Sequence, residues 1–241
     1  LSFAKMDLKN LPSRLKTLDT YAVSSPQLIS ELPRTLTVLS MRSLSAAPVS
    51  SEFFGYLPSG LKRLDCRWPS LRILQDSFAR LPRSLTAVNL QGAEEPRTPF
   101  DLSSDAAANS WLEGYPQHLE HLEIAFGDEY DEPQSFACLA PLRHALRLRQ
   151  LTVRFTSLTD TAWRLFLERH VPPTLTELTL GCYDLKHPDL INEDLALLPP
   201  HLLSCSFPSS PNIDANSLGL LPLRMHFQCG GIVTRIHSDD F

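Results

Sequence analysis

Leu11-Pro12 opens the string LPSRLKTLDT, and near copies return down the chain as LPRTLTVLSM from Leu32, LPSGLKRLDC from Leu57 and LPRSLTAVNL from Leu81. Looser copies follow as YPQHLEHLEI from Tyr115, VPPTLTELTL from Val171 and LPPHLLSCSF from Leu198, with a degenerate one, RLRQLTV, around Leu148 and Leu151. The first four intervals and the last are 21, 25, 24, 34 and 27 residues. The 56 residues between Tyr115 and Val171 hold two units once the degenerate copy is counted. A period of this size means an array of one small unit, each too small to bury its own apolar face and stable only against its neighbours.

Within each copy apolar residues fall at L-x-x-L-x-L spacing, as in Leu61, Leu64 and Cys66, or Leu119, Leu122 and Ile124. The last two alternate with a polar residue, the period of a short strand with one buried face. Proline in second place cannot continue a preceding helix, so the chain turns into the next strand there. Between strands the sequence predicts helical segments or short irregular turns, with helix preferred. The clearest helix lies between Leu158 and Val171, behind the candidate cap Asp160, with Trp163, Phe166, Leu167 and His170 at helical intervals.

On these residues the chain resembles leucine-rich-repeat proteins over essentially its full length. The resemblance implies an α/β fold: a repeat solenoid, or horseshoe, with a parallel concave sheet and helices or irregular turns on the convex side. LTDTA from Leu158, INEDL from Ile191 and IDANSL from Ile213 resemble helix starts of cysteine-containing and ribonuclease-inhibitor-like repeats. The phrase LPxxLxxL itself resembles repeats in bacterial effectors and in many fungal and protist proteins. One departure stands out, since the place usually held by a stacked Asn or Cys carries Val23, Leu44, Pro69, Ala93, Gly127, Thr156, Tyr183 and Ser210. No asparagine ladder can form, and the turns must satisfy their backbone groups in another way.

With 241 residues, 43% of them hydrophobic, the chain reads as one elongated domain of eight to nine units over 1–241. The compressed motif at Leu221 marks a terminal capping unit and tail over 222–241, with a final strand or flap at Ile232, Val233 and Ile236. Leu1 begins inside a unit, so the chain is expected to be a piece of a longer one. Its net charge of −5 argues against a nucleic-acid partner unless a local basic patch overrides it. No apolar run is long enough for a membrane span. Five cysteines without a CxxC pair read as reduced thiols, with Cys66 and Cys205 facing inward, which places the protein in the cytoplasm or nucleus.

Residues between the buried leucines tile the concave sheet, the default binding surface of such an array. Arg42, Arg63 and Arg67 should lie close together there, with Asp65 among them, as either a solvated face held in ion pairs or a docking site for an anionic partner. Asn89, Gln91, His121, Glu123 and Arg154 line the same surface. Trp68, at the exit of its strand, is expected to be partly exposed and a candidate anchor, whereas Trp111 reads as core. The long unit adds a loop over 92–105, and 127–133 lies at the same edge, so that Glu94, Glu95, Asp128, Glu129, Asp131 and Glu132 would form an acidic ridge around Phe100 and Tyr130.

No HExxH, GxSxG, phosphate loop or GxGxxG is present, and no cofactor or metal is expected. The sequence thus points to a non-catalytic, monomeric protein-interaction module using the concave sheet and the 92–105/127–133 edge. Resemblance to F-box-associated repeats implies a substrate receptor in a ubiquitin ligase. The alternatives are a regulator of a small GTPase and the repeat domain of an effector enzyme whose catalytic part lies outside this chain.

Overall fold

The computed structural model describes residues 11–21, 26–42, 49–72, 77–94, 114–126, 136–155, 160–169, 171–182, 195–207, 221, 225–229 and 232–235. The chain divides into two compact units, Leu1–Gly127 and Asp128–Phe241.

In the first unit the strands are β1 (Thr17–Tyr21), β2 (Val38–Arg42), a two-residue β3 (Val49–Ser50), β4 (Arg63–Arg72), β5 (Ala87–Glu94) and β6 (His121–Phe126). β1, β2, β4, β5 and β6 pair in that order, all parallel, and β3 pairs with the far end of β4. The second unit holds β7 (Gln150–Phe155), β8 (Glu177–Cys182), β9 (Ser204–Phe207) and β10 (His226–Cys229), again parallel, and β11 (Ile232–Arg235) is antiparallel to β10. Each of the first eight copies of the phrase therefore carries one strand, the degenerate copy included. The expected final strand is β11.

In the seven copies that carry the proline the strand begins six residues after the first residue of the phrase, as from Leu11 to Thr17, Leu32 to Val38 and Leu57 to Arg63. The common offset has a local cause. The carbonyl of the proline accepts a hydrogen bond from the N–H three residues on, in Pro12–Leu15, Pro33–Leu36, Pro58–Leu61, Pro82–Leu85, Pro116–Leu119, Pro172–Leu175 and Pro199–Leu202, at 3.0 to 3.2 Å. Proline thus opens a β-turn as well as ending the segment before it. From the second copy on, the leucine at this place enters the core, and Leu36, Leu61, Leu85, Leu119, Leu148, Leu175 and Leu202 are all at most 1% exposed.

The residue after that leucine joins one repeat to the next. Its carbonyl accepts two backbone N–H groups from the following copy: Lys16 O from Thr37 and Val38, Thr37 O from Lys62 and Arg63, Lys62 O from Thr86 and Ala87, Thr86 O from Glu120 and His121. The second unit repeats the arrangement at Arg149 O and Thr176 O. Where the same position holds threonine, its hydroxyl donates to that carbonyl too, as Thr37 does to Lys16, Thr86 to Lys62 and Thr176 to Arg149. Two residues earlier, Thr35, Ser84 and Thr174 donate to paired carbonyls of the preceding copy: Ser13 and Leu15, Ser59 and Leu61, Ala145 and Leu148. These hydroxyls give the carbonyls of the turns before the strands their donors.

Inward side chains stack in rows behind the sheet. Leu18, Leu39, Leu64, Val88 and Leu122 lie in register, as do Thr20, Met41, Cys66, Leu90 and Ile124, and all are buried. The other side differs from the preferred expectation of helices. Among the described residues it holds a five-residue helix α1 (Pro26–Ser30), a ten-residue helix α2 (Asp160–Arg169), and 3-10 turns at Ser51–Tyr56, Phe78–Arg80 and Phe136–His144. Eight residues separate Arg72 from Leu81, enough for one i→i+3 turn, which closes with Leu81 N–H to the Phe78 carbonyl. Fifteen separate Phe155 from Val171, and there the expected helix forms. Among the described residues no helix is long and apolar enough to cross a membrane.

Two substitutions test this scheme. Ser84→Ala should lower unfolding stability by about 1 kcal/mol in denaturant titration, because the Ser59 and Leu61 carbonyls lose a donor. Gly114 has φ +75°, and a Cβ there would lie 2.7 Å from the Ala79 Cβ. Gly114→Ala should cost about 2 kcal/mol or more, and adding Ala79→Gly should recover the steric part but not the backbone part.

Candidate binding face of the sheet

Because side chains alternate along a strand and the strands share one offset, the outward residues of the first unit form three rows. The first runs Thr17, Val38, Arg63, Ala87, His121. The middle runs Asp19, Ser40, Asp65, Asn89, Glu123, and the third Tyr21, Arg42, Arg67, Gln91, Ala125. Neighbours within a row are about 4.8 Å apart. The structure therefore brings Arg42, Arg63, Asp65, Arg67, Asn89, Gln91, His121 and Glu123 onto one face, as their spacing implied.

The face is not a cluster of free arginines. Asp65 is only 8% exposed and takes both ends of a guanidinium, with Arg67 Nε to Oδ1 and Nη2 to Oδ2 at 3.1 Å each. Arg42 Nη2 reaches diagonally to Asp19 Oδ2 at 3.3 Å. Residues two apart on a strand project to the same side about 7 Å apart, within easy reach of an arginine, so D-x-R forms its own pair. The Asp65 hydrogen bonds and charge hold the Arg67 proton more tightly than usual, against some desolvation, with Glu123 and Asp19 adding to the effect. Of the three arginines only Arg63 makes no ion pair with a described residue, and it is exposed.

The middle row also has unmet hydrogen-bonding capacity. Ser40 Oγ and Asn89 Oδ1, on either side of Asp65, are shielded from solvent without a partner, as is Arg42 Nε. In the second unit the corresponding rows are Gln150, Glu177, Ser204, His226, then Thr152, Thr179, Ser206, Gln228. Small hydroxyls dominate there. Arg154 pairs in register with Gly181, whose missing side chain leaves room, since a Cβ would lie 3.1 Å from Arg154 Cγ.

Trp68 is a correction. Expected as a partly exposed anchor, it is 3% exposed, packed edge-on to Phe53 with ring centroids 5.3 Å apart. Phe53 in turn meets Phe54, and Phe54 meets Phe78. The strand does not end at Arg67 but continues to Arg72, so Leu64, Cys66 and Trp68 share the inward parity. The register of β4 against β5 shifts between Arg67 and Leu71, and Gly92 lies on β5 in the shifted stretch with φ +75°. The indole therefore belongs to the core, although its Nε1 finds no acceptor. Tyr130, Trp111, Phe100 and the acidic residues Glu95, Asp128, Glu129, Asp131 and Glu132 lie outside the described residues, as does the 92–105/127–133 edge beyond Glu94.

Cys66 and Cys205 are buried free thiols, as their inward positions implied. Burial, and then the Asp65 charge, push the Cys66 thiol well above its ordinary pKa, so it stays protonated and unreactive. Among the described residues no three His, Cys, Asp or Glu side chains come together as a metal would require.

A solved structure of TLR13 with ssRNA13 is similar to this one at a TM-score of 0.54 and 16% identity, over 92% of this chain and 32% of that one. Together with the rows of parallel strands on a repeated phrase, that likeness decides the architecture. The chain has the leucine-rich-repeat fold. Other similar structures are the leucine-rich repeat-containing protein LegL7 from Legionella pneumophila, at 0.46 and 15% over 83% of this chain and 68% of that one, and CroV588, described as a circular LRR protein, at 0.48 and 17% over 92% and 32%. The chain thus spans about a third of TLR13 and of CroV588. No protein-family profile matches the sequence, and no curated protein does. What the repeats bind is a matter for their own surface.

That surface gives one direct check on the packing beneath it. A thiol-reactive dye should leave Cys66 and Cys205 unlabelled in the native protein and label both in denaturant, read by peptide mass spectrometry. Trp68→Ala should destabilise the fold by about 3–5 kcal/mol and expose Cys66 to the dye.

Proposed function

We propose that this chain is a non-catalytic protein-binding module that docks a protein partner on the outward face of its strands. The observation that supports it is the middle row of the first unit. There Ser40 and Asn89 carry unmet hydrogen-bonding atoms beside the internally neutralised Asp65–Arg67 pair. A face whose charges are already paired gains little from a highly charged ligand but can be matched by the mixed polar surface of a folded protein. Cys66 and Cys205 are both in the core, which places neither as a nucleophile. Their free, buried thiols also support a cytoplasmic or nuclear setting.

A finer form of the reading is a substrate receptor in a ubiquitin ligase, which rests on the resemblance of the repeat phrases. Affinity purification with quantitative mass spectrometry tests both levels. Proteins recovered with the wild-type chain should fall about tenfold or more with Asn89→Arg, and stay with Glu52→Arg, a change on an exposed 3-10 turn. Retention by Asn89→Arg would move the docking surface elsewhere. Ligase components among the lost proteins would support the receptor form, and a small GTPase would replace it.

A further inference from the structure

The unpaired cations of the first unit are not where the arginine spacing first suggests. Among the described residues all but Arg80 gather at the other end of the strands, on the turns made by the Leu-Pro phrase. Arg14, Lys16, Arg34, Lys62, Arg63 and Arg83 are all exposed, and none makes an ion pair with a described residue. The backbone fixes them on one edge. Lys16, Thr37, Lys62 and Thr86 stack rung on rung through the shared carbonyls. One step earlier in the phrase, Thr35 bonds the Ser13 and Leu15 carbonyls, the Gly60 Cβ position lies 3.6 Å from the Arg34 carbonyl, and Ser84 bonds the Ser59 and Leu61 carbonyls. Four consecutive turns are thereby held in file.

No acid lies on these four turns, since Asp19 and Asp65, later in the first and third phrases, stand on the strands and are taken by Arg42 and Arg67. Glu31 directly precedes the second, and Glu120 in the following phrase ends the basic run. Like charges so close repel one another, a cost that an anionic partner would relieve. Setting these six positive charges apart from the net charge of −5 leaves −11 on the rest of the chain. The edge is therefore a local feature against an acidic background.

We propose that this turn edge is a docking strip for an acidic stretch of polypeptide, distinct from the sheet face and meeting it at Arg63. Its length selects the partner. Three strand spacings of about 4.8 Å make an edge of about 15 Å, which an extended peptide covers with about five residues. A run of Asp or Glu of that size finds a cation at each turn and ends where the basic file ends. A longer polyanion such as RNA would run past it onto the net-negative remainder and be repelled. Five of the turn cations lie clear of the sheet-face rows, so the strip and the protein-binding reading of that face can fail independently.

The test uses the whole chain and a fluorescein-labelled octapeptide of alternating Glu and Asp, with an octalysine peptide, a 20-nucleotide single-stranded RNA and phosphatidylserine vesicles as competing probes. The acidic peptide should bind in a salt-sensitive way. Its affinity should fall about tenfold or more in Arg14→Glu/Arg34→Glu/Lys62→Glu/Arg83→Glu and by an intermediate factor in the matching Gln variant, with circular dichroism unchanged. Asn89→Arg, on the sheet face, should leave it intact. The proposal is overturned if the Gln variant binds the peptide as wild type does, if octalysine binds equally well, or if RNA or vesicles bind more tightly than the peptide and through the same four residues.

Discussion

A single backbone carbonyl, one residue beyond the leucine that closes the turn, accepts two N–H groups from the next copy at Lys16, Thr37, Lys62, Thr86, Arg149 and Thr176. Everything else in each unit is positioned by that bond. It sets the register of successive strands, and so it decides which side chains share a row inside the core and which share a row outside. A slip of one residue would turn Leu64 and Cys66 outward and bury Arg63 and Arg67, so the pairing is strongly specified. The prolines support it by opening a β-turn that delivers each leucine at the same place.

An array built this way must satisfy many backbone groups at its turns, and the polar residues of the phrase do so. Thr35, Ser84 and Thr174 each bridge two carbonyls of the copy before. Thr37, Thr86 and Thr176 add a third donor to a carbonyl that already holds two. The same turns carry most of the exposed cations described in the first unit. Scaffold and charged edge thus share places in one phrase: Thr35, Ser84, Thr37 and Thr86 turn back to the backbone, and Arg14, Lys16 and Lys62, at the corresponding places of other copies, stand out into solvent.

Much of this was legible beforehand. The repeat, the strands at all eight phrases, the inward cysteines and the helix near Trp163 all follow from periods of two and 3.6 residues and from proline. Other features were encoded but not recognised. Trp68 obeys the alternation of Leu64 and Cys66, but the repeated phrase ends at Cys66 and gives no sign that the strand continues to Arg72. The D-x-R of Asp65 and Arg67 signals a pair as much as a binding site. The i→i+3 turns before Leu57 and Leu81 are announced by Phe54 and Phe78, three residues ahead. Between Arg72 and Leu81 the gap, set by how far β4 runs, leaves room for one 3-10 turn.

By itself the sequence determined that this chain must stack: each unit holds one short apolar strand face, too small to be stable alone, and the Leu-Pro phrase places every strand at the same offset. Only the tertiary structure decided which charges are spent on one another. Asp19 and Arg42 are 23 residues apart and meet because register carries them to adjacent strands. Arg14, Arg34, Lys62 and Arg83, scattered over some seventy residues, become one edge because parallel stacking converts distance along the chain into a few ångströms across it.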